Sequence, residues 1–478
     1  MTALWTAAEA ERATGGRPTR DWSAAGLSID SRSVAPGDLF IALAGPKFDG
    51  HEFVASALAA GAAAAMVSRV PDGLPADASP LLVVDDTMAA LERLGTASRA
   101  RCASAAVIGV TGSVGKTGTK EALRTVLAEQ GPTHASAASF NNHWGVPLSL
   151  ARMPRETRFG VFEMGMNHPG ELARLTGFVR PDVAIVTTVE PAHLGHFASV
   201  EEIADAKAEI LLGVPPHDGT AILNRDNPHF ARLRAAAERQ GIGRILSFGA
   251  ASDADIRLLE ADLGATGSRV SALVLGRRLD YVVANPGRHW VLNTLAVLGA
   301  VQAAGGDVPA AADALSRLQG LAGRGRRHGI RVAGGGGGAV LIDESYNASP
   351  ASMRAAIAVL AATQPAANGR RIAVLGDMLE LGEQSPQLHA ELAEPLKQAT
   401  INHVFTVGRD MKSLHDALPG SMRAGHADRS VDMARVVASF IRPGDVVTVK
   451  GSLGSRMAEV VKVLLAGGDA PASDAAKA

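Results

Sequence analysis

A run of small residues with one lysine separates a stretch typical of a buried strand from one typical of a helix. The strand candidate, 105–110, is followed by Thr111-Gly112-Ser113-Val114-Gly115-Lys116-Thr117. Glycines in such a turn let backbone N–H groups face phosphate oxygens, the lysine reaches the terminal phosphates, and the last hydroxyl can bind Mg²⁺. Val110 stands where the usual motif has its first glycine, but the flanking strand and helix favour an ATP or GTP site over a plain glycine-rich turn.

Two further strand candidates end beside side chains that can bind a cation. The strand at 158–163 ends at Glu163, and the one at 182–188 leads to His193. Ligands of open parallel sheets lie at the carboxyl ends of strands, so both side chains are candidates to meet Mg²⁺ beside the phosphate loop. Taken alone, Glu163 fits a loop or helix-capping carboxylate equally well, and a single loop histidine is more often structural than a ligand.

A lysine is predicted in the apolar stripe of a helix. Residues 199–202 have the form of a capping box, with Ser199 as N-cap and Glu202 returning to it. In the helix that follows, Lys207 shares a face with Ile203 and Ile210. Burial there lowers the pKa of a lysine and leaves a neutral amine that can do chemistry. From this helix alone, the alternative is a lysine that reaches solvent from the edge of the stripe.

The composition excludes several classes of partner. Lys and Arg total 47 against 48 for Asp and Glu, so there is no overall basic field to attract nucleic acid or an acidic membrane. The single cysteine, Cys102, cannot form an internal disulfide, which agrees with a reducing compartment. Residues 1–16 lack the pattern of a secretory signal, and the most apolar run, 56–67, is too short for a bilayer and predicts a buried helix. We therefore expect a cytoplasmic protein without stable membrane insertion.

The order of apolar runs predicts three α/β domains. A chain of 478 residues is too long for one ordinary core. Near the start, runs at 39–43 and 81–84 flank a helical stretch at 52–65. The second block adds a strand candidate at 220–223 to those above, with helices between them, as in a doubly wound parallel sheet.

A glycine- and arginine-rich segment separates the second block from a third. We interpret 323–327 as a domain hinge and the glycines at 334–338 as a loose turn between strands. Beyond them, strand candidates alternate with helices at 340–343, 371–375, 403–407 and 446–449. The predicted domains are 1–102, 103–325 and 326–465, followed by a flexible tail at 466–478.

Many short motifs, in the same order along nearly the whole chain, resemble those of the Mur ligase family. Together they are far more specific than any one of them. They are Asp30-Ser31-Arg32 with Pro36-Gly37-Asp38-Leu39-Phe40, the phosphate loop, Asn141-Asn142-His143-Trp144-Gly145-Val146-Pro147-Leu148, the segment from Glu163 to Glu171, Ala192-His193-Leu194, Ala206-Lys207-Ala208-Glu209-Ile210, Gly287-Arg288-His289 leading to Asn293, Asp343-Glu344-Ser345-Tyr346-Asn347-Ala348, Leu375-Gly376-Asp377-Met378-Leu379-Glu380-Leu381-Gly382 and Lys450-Gly451-Ser452.

The resemblance implies a three-domain α/β fold and a ligase activity. A smaller N-terminal α/β domain would bind a UDP-linked precursor, a central phosphate-loop domain would bind ATP, and a C-terminal Rossmann-like domain would follow. The closest likeness is to the ATP-dependent ligases of peptidoglycan precursor synthesis that join D-alanyl-D-alanine to UDP-N-acetylmuramoyl-tripeptide. In them, ATP phosphorylates the peptide carboxylate and the incoming amine attacks the acyl phosphate. We also expect a monomer.

The resemblance further implies roles for individual residues. Thr117 and Glu163 would serve one Mg²⁺, and His193 with a carbamylated Lys207 would hold a second. The residues that would reach ATP besides the phosphate loop are His289, Asn293, Arg326, Asp343, Tyr346 and Asn347, with Arg326 chosen among the arginines of 324–327. The residues that would bind the UDP-linked precursor are Ser31, Arg32, Lys47, Asn141 and Asn142.

Three alternatives stay open at this point. The first is a neighbouring ligase that adds one amino acid to a shorter peptide, whose diaminopimelate-type members carry Asp-Asn-Pro-Arg in the last domain. Here Asp226-Asn227-Pro228 lies in the middle domain and precedes His229, which disfavours that activity. The second, folylpolyglutamate synthase, is disfavoured by the motif at 343–348. The third, a nucleotide-dependent switch, needs little more than the loop and a sensor segment, so the further metal-binding candidates disfavour it.

Overall fold

The computed structural model describes residues 3–45, 48–75, 79–137, 139–191, 195, 197–332 and 337–467. Two candidate site residues, Lys47 and His193, lie outside these ranges, as do most of the run of glycines at 334–338 and nearly all of the tail predicted at 466–478. No helix in the described ranges is long and apolar enough to cross a bilayer.

Within the described residues, two small sheets and three α-helices form the first part of the chain. Its larger sheet has the order β2-β7-β6-β5-β4; β4 to β7 are parallel to one another, and the edge strand β2 pairs antiparallel with β7. The elements are β1 (Trp5–Thr6), α1 (Ala7–Thr14), β2 (Arg17–Pro18), β3 (Ser23–Ala24), β4 (Gly26–Ser28), β5 (Asp38–Ile41), α2 (Val54–Ala59), β6 (Ala64–Val67), β7 (Leu81–Val83) and α3 (Thr87–Arg101).

The helix predicted at 52–65, and again from the apolar run at 56–67, is wrong in its C-terminal half. Helix α2 ends at Ala59, and Gly61 turns the chain with a φ of +98°, a conformation that glycine adopts without steric cost. Beyond it, Ala64–Val67 form β6, which lies fully buried between β5 and β7. Alanine is a good helix former, but burial between two strands decides its conformation here.

The central sheet carries the phosphate loop. Its order is β16-β15-β14-β13-β12-β11-β8-β10-β9, parallel from β9 to β14 and antiparallel at β14, β15 and β16. The elements are β8 (Ala106–Thr111), α4 (Lys116–Ala128), β9 (Thr133–Ala135), α5 (Gly145–Ala151), β10 (Phe159–Glu163), α6 (Glu171–Val179), β11 (Val183–Val186), α7 (Val200–Ala208), β12 (Thr220–Asn224), α8 (Phe230–Arg239), β13 (Arg244–Gly249), β14 (Ile256–Leu263), β15 (Ser268–Val274), β16 (Arg277–Val283), α9 (Arg288–Ala303) and α10 (Val308–Ala314).

The sequence predicts β8, β10, β11 and β12 but not the antiparallel extension of this sheet. Strands β14 to β16 are joined by short connections, and such connections allow only antiparallel pairing. The parallel part is packed on both faces. Helices α4 and α9 cover one face, and α5 to α8 cover the other.

The last sheet has the order β17-β18-β22-β19-β20-β21, and all its strands are parallel except the hairpin strand β17. Its elements are β17 (Arg326–Arg331), β18 (Gly338–Glu344), α11 (Pro350–Ala362), β19 (Arg371–Gly376), α12 (Ser385–Ala390), α13 (Ala393–Gln398), β20 (His403–Val407), α14 (Met411–Ala417), β21 (Arg423–Ala427), α15 (Ser430–Phe440), β22 (Val446–Lys450) and α16 (Ala458–Leu465). Each of the three large sheets falls within one predicted domain, while the boundaries themselves stay predictions.

Candidate active site

A cleft of about 1140 Å³ opens where the phosphate loop and the carboxyl ends of β10 and β18 meet. Its walls come from both the central and the last sheet, so strands far apart in sequence contribute to one site. The predicted site residues that line it are Ser113, Val114, Gly115, Lys116, Thr117, Asn141, Asn142, Glu163, His289, Asn293, Tyr346 and Asn347.

The phosphate loop has the conformation that anion binding requires. Gly112 and Gly115 have φ values of +146° and +88°, and a Cβ atom on Gly112 would lie 1.9 Å from the Thr187 hydroxyl. That hydroxyl donates to the Val114 carbonyl at 2.6 Å, which ties the loop to the end of β11. Helix α4 begins at Lys116, so its free N–H groups and positive dipole end face the loop.

Lys116 folds back across the loop. Its Nζ donates to the Gly112 carbonyl at 2.6 Å and to the Ser113 carbonyl at 3.4 Å. Burial lowers the pKa of Lys116, with the nearby Glu163 carboxylate opposing this and the Arg324 charge adding to it. An entering phosphate would add negative charge at this point and favour the ammonium form.

Glu163 ends β10 with a carboxylate that is only half satisfied. The side chain is buried, its Oε1 accepts from Asn141 Nδ2 at 2.7 Å, and its buried Oε2 has no hydrogen-bond partner among the residues that the structure describes. A buried carboxylate oxygen without a partner is costly unless something else binds it. Thr117 lies in the first turn of α4 and lines the same cleft. A carboxylate and a hydroxyl are oxygen donors of the kind Mg²⁺ prefers, so these residues fit that ion.

Lys207 is buried, as its place in the apolar stripe predicts. Ser199 caps α7 by accepting from the Glu202 amide at 3.2 Å, while the Glu202 carboxylate accepts from the Ala198 amide rather than returning to Ser199. The Lys207 side chain is 2% exposed, and burial, with the charge of Lys116 as a second cause, lowers its pKa well below the ordinary value. It does not line the cleft, and within the described residues its ammonium has neither a hydrogen bond nor an ion pair. This environment favours a neutral amine.

The arginine that reaches the cleft is Arg324, not Arg326. Arg326 opens β17 with an exposed side chain and lies outside the cleft lining. Arg324 lines the cleft, stacks on the Tyr346 ring at 4.3 Å and donates to the Ser139 hydroxyl at 3.4 Å. Spacing in an arginine-rich hinge cannot distinguish the two, because the turn before β17 decides which guanidinium faces inward.

Asp343 braces a turn and does not line the cleft. Its Oδ2 accepts from the Gly323 amide at 2.8 Å, and its Oδ1 accepts from the amide and hydroxyl of Ser345. Both carboxylate oxygens therefore serve the backbone that carries Arg324 and Tyr346. That Asp343 reaches the nucleotide stays a prediction; in this structure its carboxylate contacts Gly323 and Ser345.

The sequence reasoning missed an ion pair on the last sheet. Lys450 is buried at the end of β22, and its Nζ lies 3.3 Å from Glu344 Oε2 and donates to the Asn347 carbonyl at 2.9 Å. All three residues line the cleft. Burial lowers the pKa of His289 across the cleft, with Glu344 opposing and Lys450 adding to the effect. Glu344 stands in a motif that the resemblance contained, but its pairing with Lys450 depends on strand order.

Ser31 and Arg32 lie elsewhere. They belong to a short 3₁₀ turn at Ser31–Ser33, and the Arg32 guanidinium makes two hydrogen bonds to Asp30, at 2.9 and 2.7 Å. That contact lowers the pKa of Asp30 to about 2. Neither residue lines the cleft. A UDP-linked ligand that touches both Arg32 and Asn141 would therefore extend from the first sheet into the cleft.

Comparisons with known proteins follow the same division of the chain. Family models match in three stretches: "Mur ligase family, catalytic domain" at residues 23–99, "Mur ligase middle domain" at 110–301 and "Mur ligase, glutamate ligase domain" at 326–453. A relative from Escherichia coli (strain K12), named UDP-N-acetylmuramoyl-tripeptide--D-alanyl-D-alanine ligase, is 34% identical over 92% of this chain and 93% of its own.

Solved structures give the same result. MurF from Acinetobacter baumannii is 31% identical with a TM-score of 0.82, over 97% of this chain and 99% of its own. The MurF ligase from Thermotoga maritima in complex with ADP is 27% identical with a TM-score of 0.75, over 92% of this chain and 97% of its own. With matches of this length on all three sheets, the chain belongs to the Mur ligase family.

Proposed function

We propose that the chain is an ATP-dependent ligase that joins D-alanyl-D-alanine to UDP-N-acetylmuramoyl-tripeptide through an acyl phosphate. The observation that carries the proposal is the cleft in which the phosphate loop, Glu163, Tyr346 and Lys450 meet. Relatives that match nearly the whole chain bear the name of this activity. The ADP in the Thermotoga maritima complex supports ATP as the nucleotide.

The chemistry is phosphoryl transfer followed by acyl transfer. The peptide carboxylate attacks the γ-phosphorus of ATP and ADP leaves; the amine of the dipeptide then attacks the acyl carbon, and phosphate leaves as the amide forms. The protein contributes position and charge, because such transition states spread negative charge over the transferred group. Loop amides and Lys116 would hold the terminal phosphates, and Arg324, from the turn before β17, would contact them in place of Arg326.

Thr117 and Glu163 would hold Mg²⁺, which supplies neutralisation of the phosphate charge. The Oε2 atom of Glu163, which has no hydrogen-bond partner within the described ranges, supports this assignment. For the nucleotide base and ribose, His289 and Asn293 on α9 and Tyr346 and Asn347 after β18 are the candidates.

We further propose that Lys207 is carbamylated. Its neutral amine would attack CO₂, forming an N–C bond and releasing a proton to water, and the product is an anionic oxygen ligand. Its burial and the charge of Lys116 support this proposal, because both disfavour an ammonium at that position and Lys116 would stabilise an anion. His193 would be its partner at a second Mg²⁺.

The UDP-linked precursor would enter from the first sheet. Asn141 and Asn142 line the cleft and are candidates for the muramoyl part, while Ser31, Arg32 and Lys47 are candidates for the uridine diphosphate. The cytoplasmic location and the monomeric state expected from the sequence stay predictions.

The test is phosphate release with ATP, Mg²⁺ and UDP-N-acetylmuramoyl-tripeptide, comparing D-alanyl-D-alanine with single amino acids as the amine. We expect release only with the dipeptide. Release with a single amino acid and the shorter UDP-muramoyl-dipeptide would assign the chain to the neighbouring ligase. Phosphate release without either acceptor would favour the nucleotide-dependent switch.

A further inference from the structure

A second lysine of α4 is fully buried and lies outside the lining of the cleft. Lys120 is 0% exposed and is among the largest fully buried side chains of the described residues. It makes no direct contribution to the lining of the cleft. Burying an ammonium is costly unless it is paired and hydrogen-bonded, so the contacts of Lys120 identify what the charge stabilises.

Lys120 connects α4 to the segment after β9. Its Nζ donates to Glu121 Oε1 at 2.5 Å and to the Ser136 carbonyl at 2.8 Å. The other oxygen of Glu121 accepts from Arg124 Nε at 2.7 Å. The Lys120–Glu121 contact stays within the helix, whereas the bond to Ser136 fixes the position of another element relative to α4.

Ser136 in turn holds the end of β10. Its amide donates to the Val161 carbonyl at 3.0 Å, and its hydroxyl accepts from the Glu163 amide at 3.3 Å. Farther along the same segment, Asn141 donates to the Glu163 carboxylate and accepts from the Gly165 amide at 2.8 Å. Ser136 therefore holds Glu163 by its backbone, and Asn141 holds it by its side chain.

We infer that Lys120 is a positioning residue that fixes Glu163 relative to Thr117. Thr117 lies on α4 one turn before Lys120. Lys120 is connected to Glu163 through Ser136. One buried charge therefore links α4 and β10, the two elements that carry these ligands. The inference rests on the function proposed above, since it concerns the Mg²⁺ that these two residues would hold there. Residues that orient metal ligands typically change metal affinity by about 10- to 100-fold when removed.

The test measures Mg²⁺ coupling without turnover. The dissociation constant of a non-hydrolysable ATP analogue is measured by calorimetry with and without Mg²⁺. The metal-free constant divided by the constant with Mg²⁺ gives a ratio that reports how much the metal strengthens binding. In Lys120→Met we expect this ratio to fall about tenfold while the metal-free constant changes little. The substitution keeps the side-chain length, and Glu121 keeps Arg124 as a partner.

Two further variants decide between positioning and general packing. Ser136→Ala removes only the hydroxyl that accepts from Glu163, and it should lower the ratio about fivefold, the effect of one hydrogen bond. Arg124→Met removes the exposed partner of Glu121 and should leave the ratio unchanged. If Lys120→Met does not fold, Ser136→Ala decides the question.

The inference would be overturned if folded Lys120→Met or Ser136→Ala had the same ratio as the wild-type protein. A ratio near one in the wild-type protein itself would also overturn it. None of these readings depends on the amine acceptor. Failure of the proposed function would appear separately, as absence of phosphate release with the dipeptide in the wild-type protein.

Discussion

At the scale of single residues, the site depends on charged groups placed where water cannot screen them. Glu163 has one buried carboxylate oxygen without a partner in the described part of the chain, and Lys207 is a buried lysine whose pKa is lowered by burial and by Lys116. Each arrangement lowers stability unless a ligand or a chemical modification completes it. Both residues can therefore be tested by substitutions that keep size and change chemistry.

Glu163→Gln should abolish most of the activity with little change in stability. The amide oxygen can still accept from Asn141, but the negative charge that would bind Mg²⁺ is lost. We expect kcat to fall about 100-fold or more, as when one group that offsets transition-state charge is removed. Kinetics at saturating ATP and the thermal midpoint check this, and an unchanged kcat would remove Glu163 from the metal site.

Lys207→Ala should lose activity and regain part of it with added formate or acetate. The truncated side chain leaves a space in which a small carboxylate can replace the proposed carbamate. Lys207→Met is the matched control, because its side chain fills that space and leaves no room for rescue. Full activity in Lys207→Ala without additive would contradict the role, and equal rescue of both variants would show a nonspecific salt effect.

At the scale of elements, the turn between the central and last sheets carries side chains into the cleft. Asp343 accepts from the Gly323 amide, and the Tyr346 amide donates to the Gly323 carbonyl at 3.1 Å. Arg324 follows directly and stacks on the Tyr346 ring. The backbone of this turn, rather than a single contact to ligand, therefore sets where Arg324 and Tyr346 lie.

Gly323→Ala should weaken nucleotide binding more than it weakens the fold. Gly323 has a φ of +71°, and a Cβ atom there would lie 2.8 Å from Tyr346 Cβ, so the turn and the ring must move. The left-handed backbone alone costs an alanine about 1–2 kcal/mol. Gly329→Ala on β17 is the control, since its Cβ would have no heavy atom within 4 Å. Calorimetric nucleotide affinities check this; equal affinities in both variants would contradict it.

At the scale of the whole molecule, catalytic groups come from two sheets that meet at the cleft. The Gly195 amide donates to the Glu380 carbonyl at 3.3 Å, which is a direct contact between the central and last parts of the chain. Ligases that bind three substrates must open to admit and release them, so relative movement of the two parts is expected during turnover.

A reversible crosslink between these parts should stop turnover and leave nucleotide binding intact. A Cβ atom on Gly195 would lie 3.9 Å from Gly382 Cα, so Gly195→Cys with Gly382→Cys brings two thiols within disulfide range. The native Cys102 is buried and does not compete for the new thiols. Turnover should disappear on oxidation and return on reduction, and the reduced protein measures any effect of the substitutions alone. Undiminished turnover of the oxidised protein would show that no movement is needed.

Local features of the sequence determined much of this site. Three features depend only on residues close together in the sequence and on the periodicity of one strand or helix. They are the phosphate loop, the strands that end at Glu163 and before His193, and the buried face of α7. Such features can be read from short windows because strand burial and helix amphipathicity repeat every two and every 3.6 residues. The strands ending at Glu163 and Val186, and the burial of Lys207, are confirmed in the described structure.

The tertiary structure alone decided which of these groups meet. It places Arg324 rather than Arg326 at the cleft, and it brings the Asp343 carboxylate to the turn at Gly323. It also pairs Glu344 with Lys450 and ends α2 within the alanine-rich run. Each outcome depends on strand order and on contacts between residues up to about a hundred positions apart, for which the chain carries no local periodic pattern. Burial and hydrogen-bond satisfaction across the assembled sheets decide such contacts, and they override the propensity of any one segment.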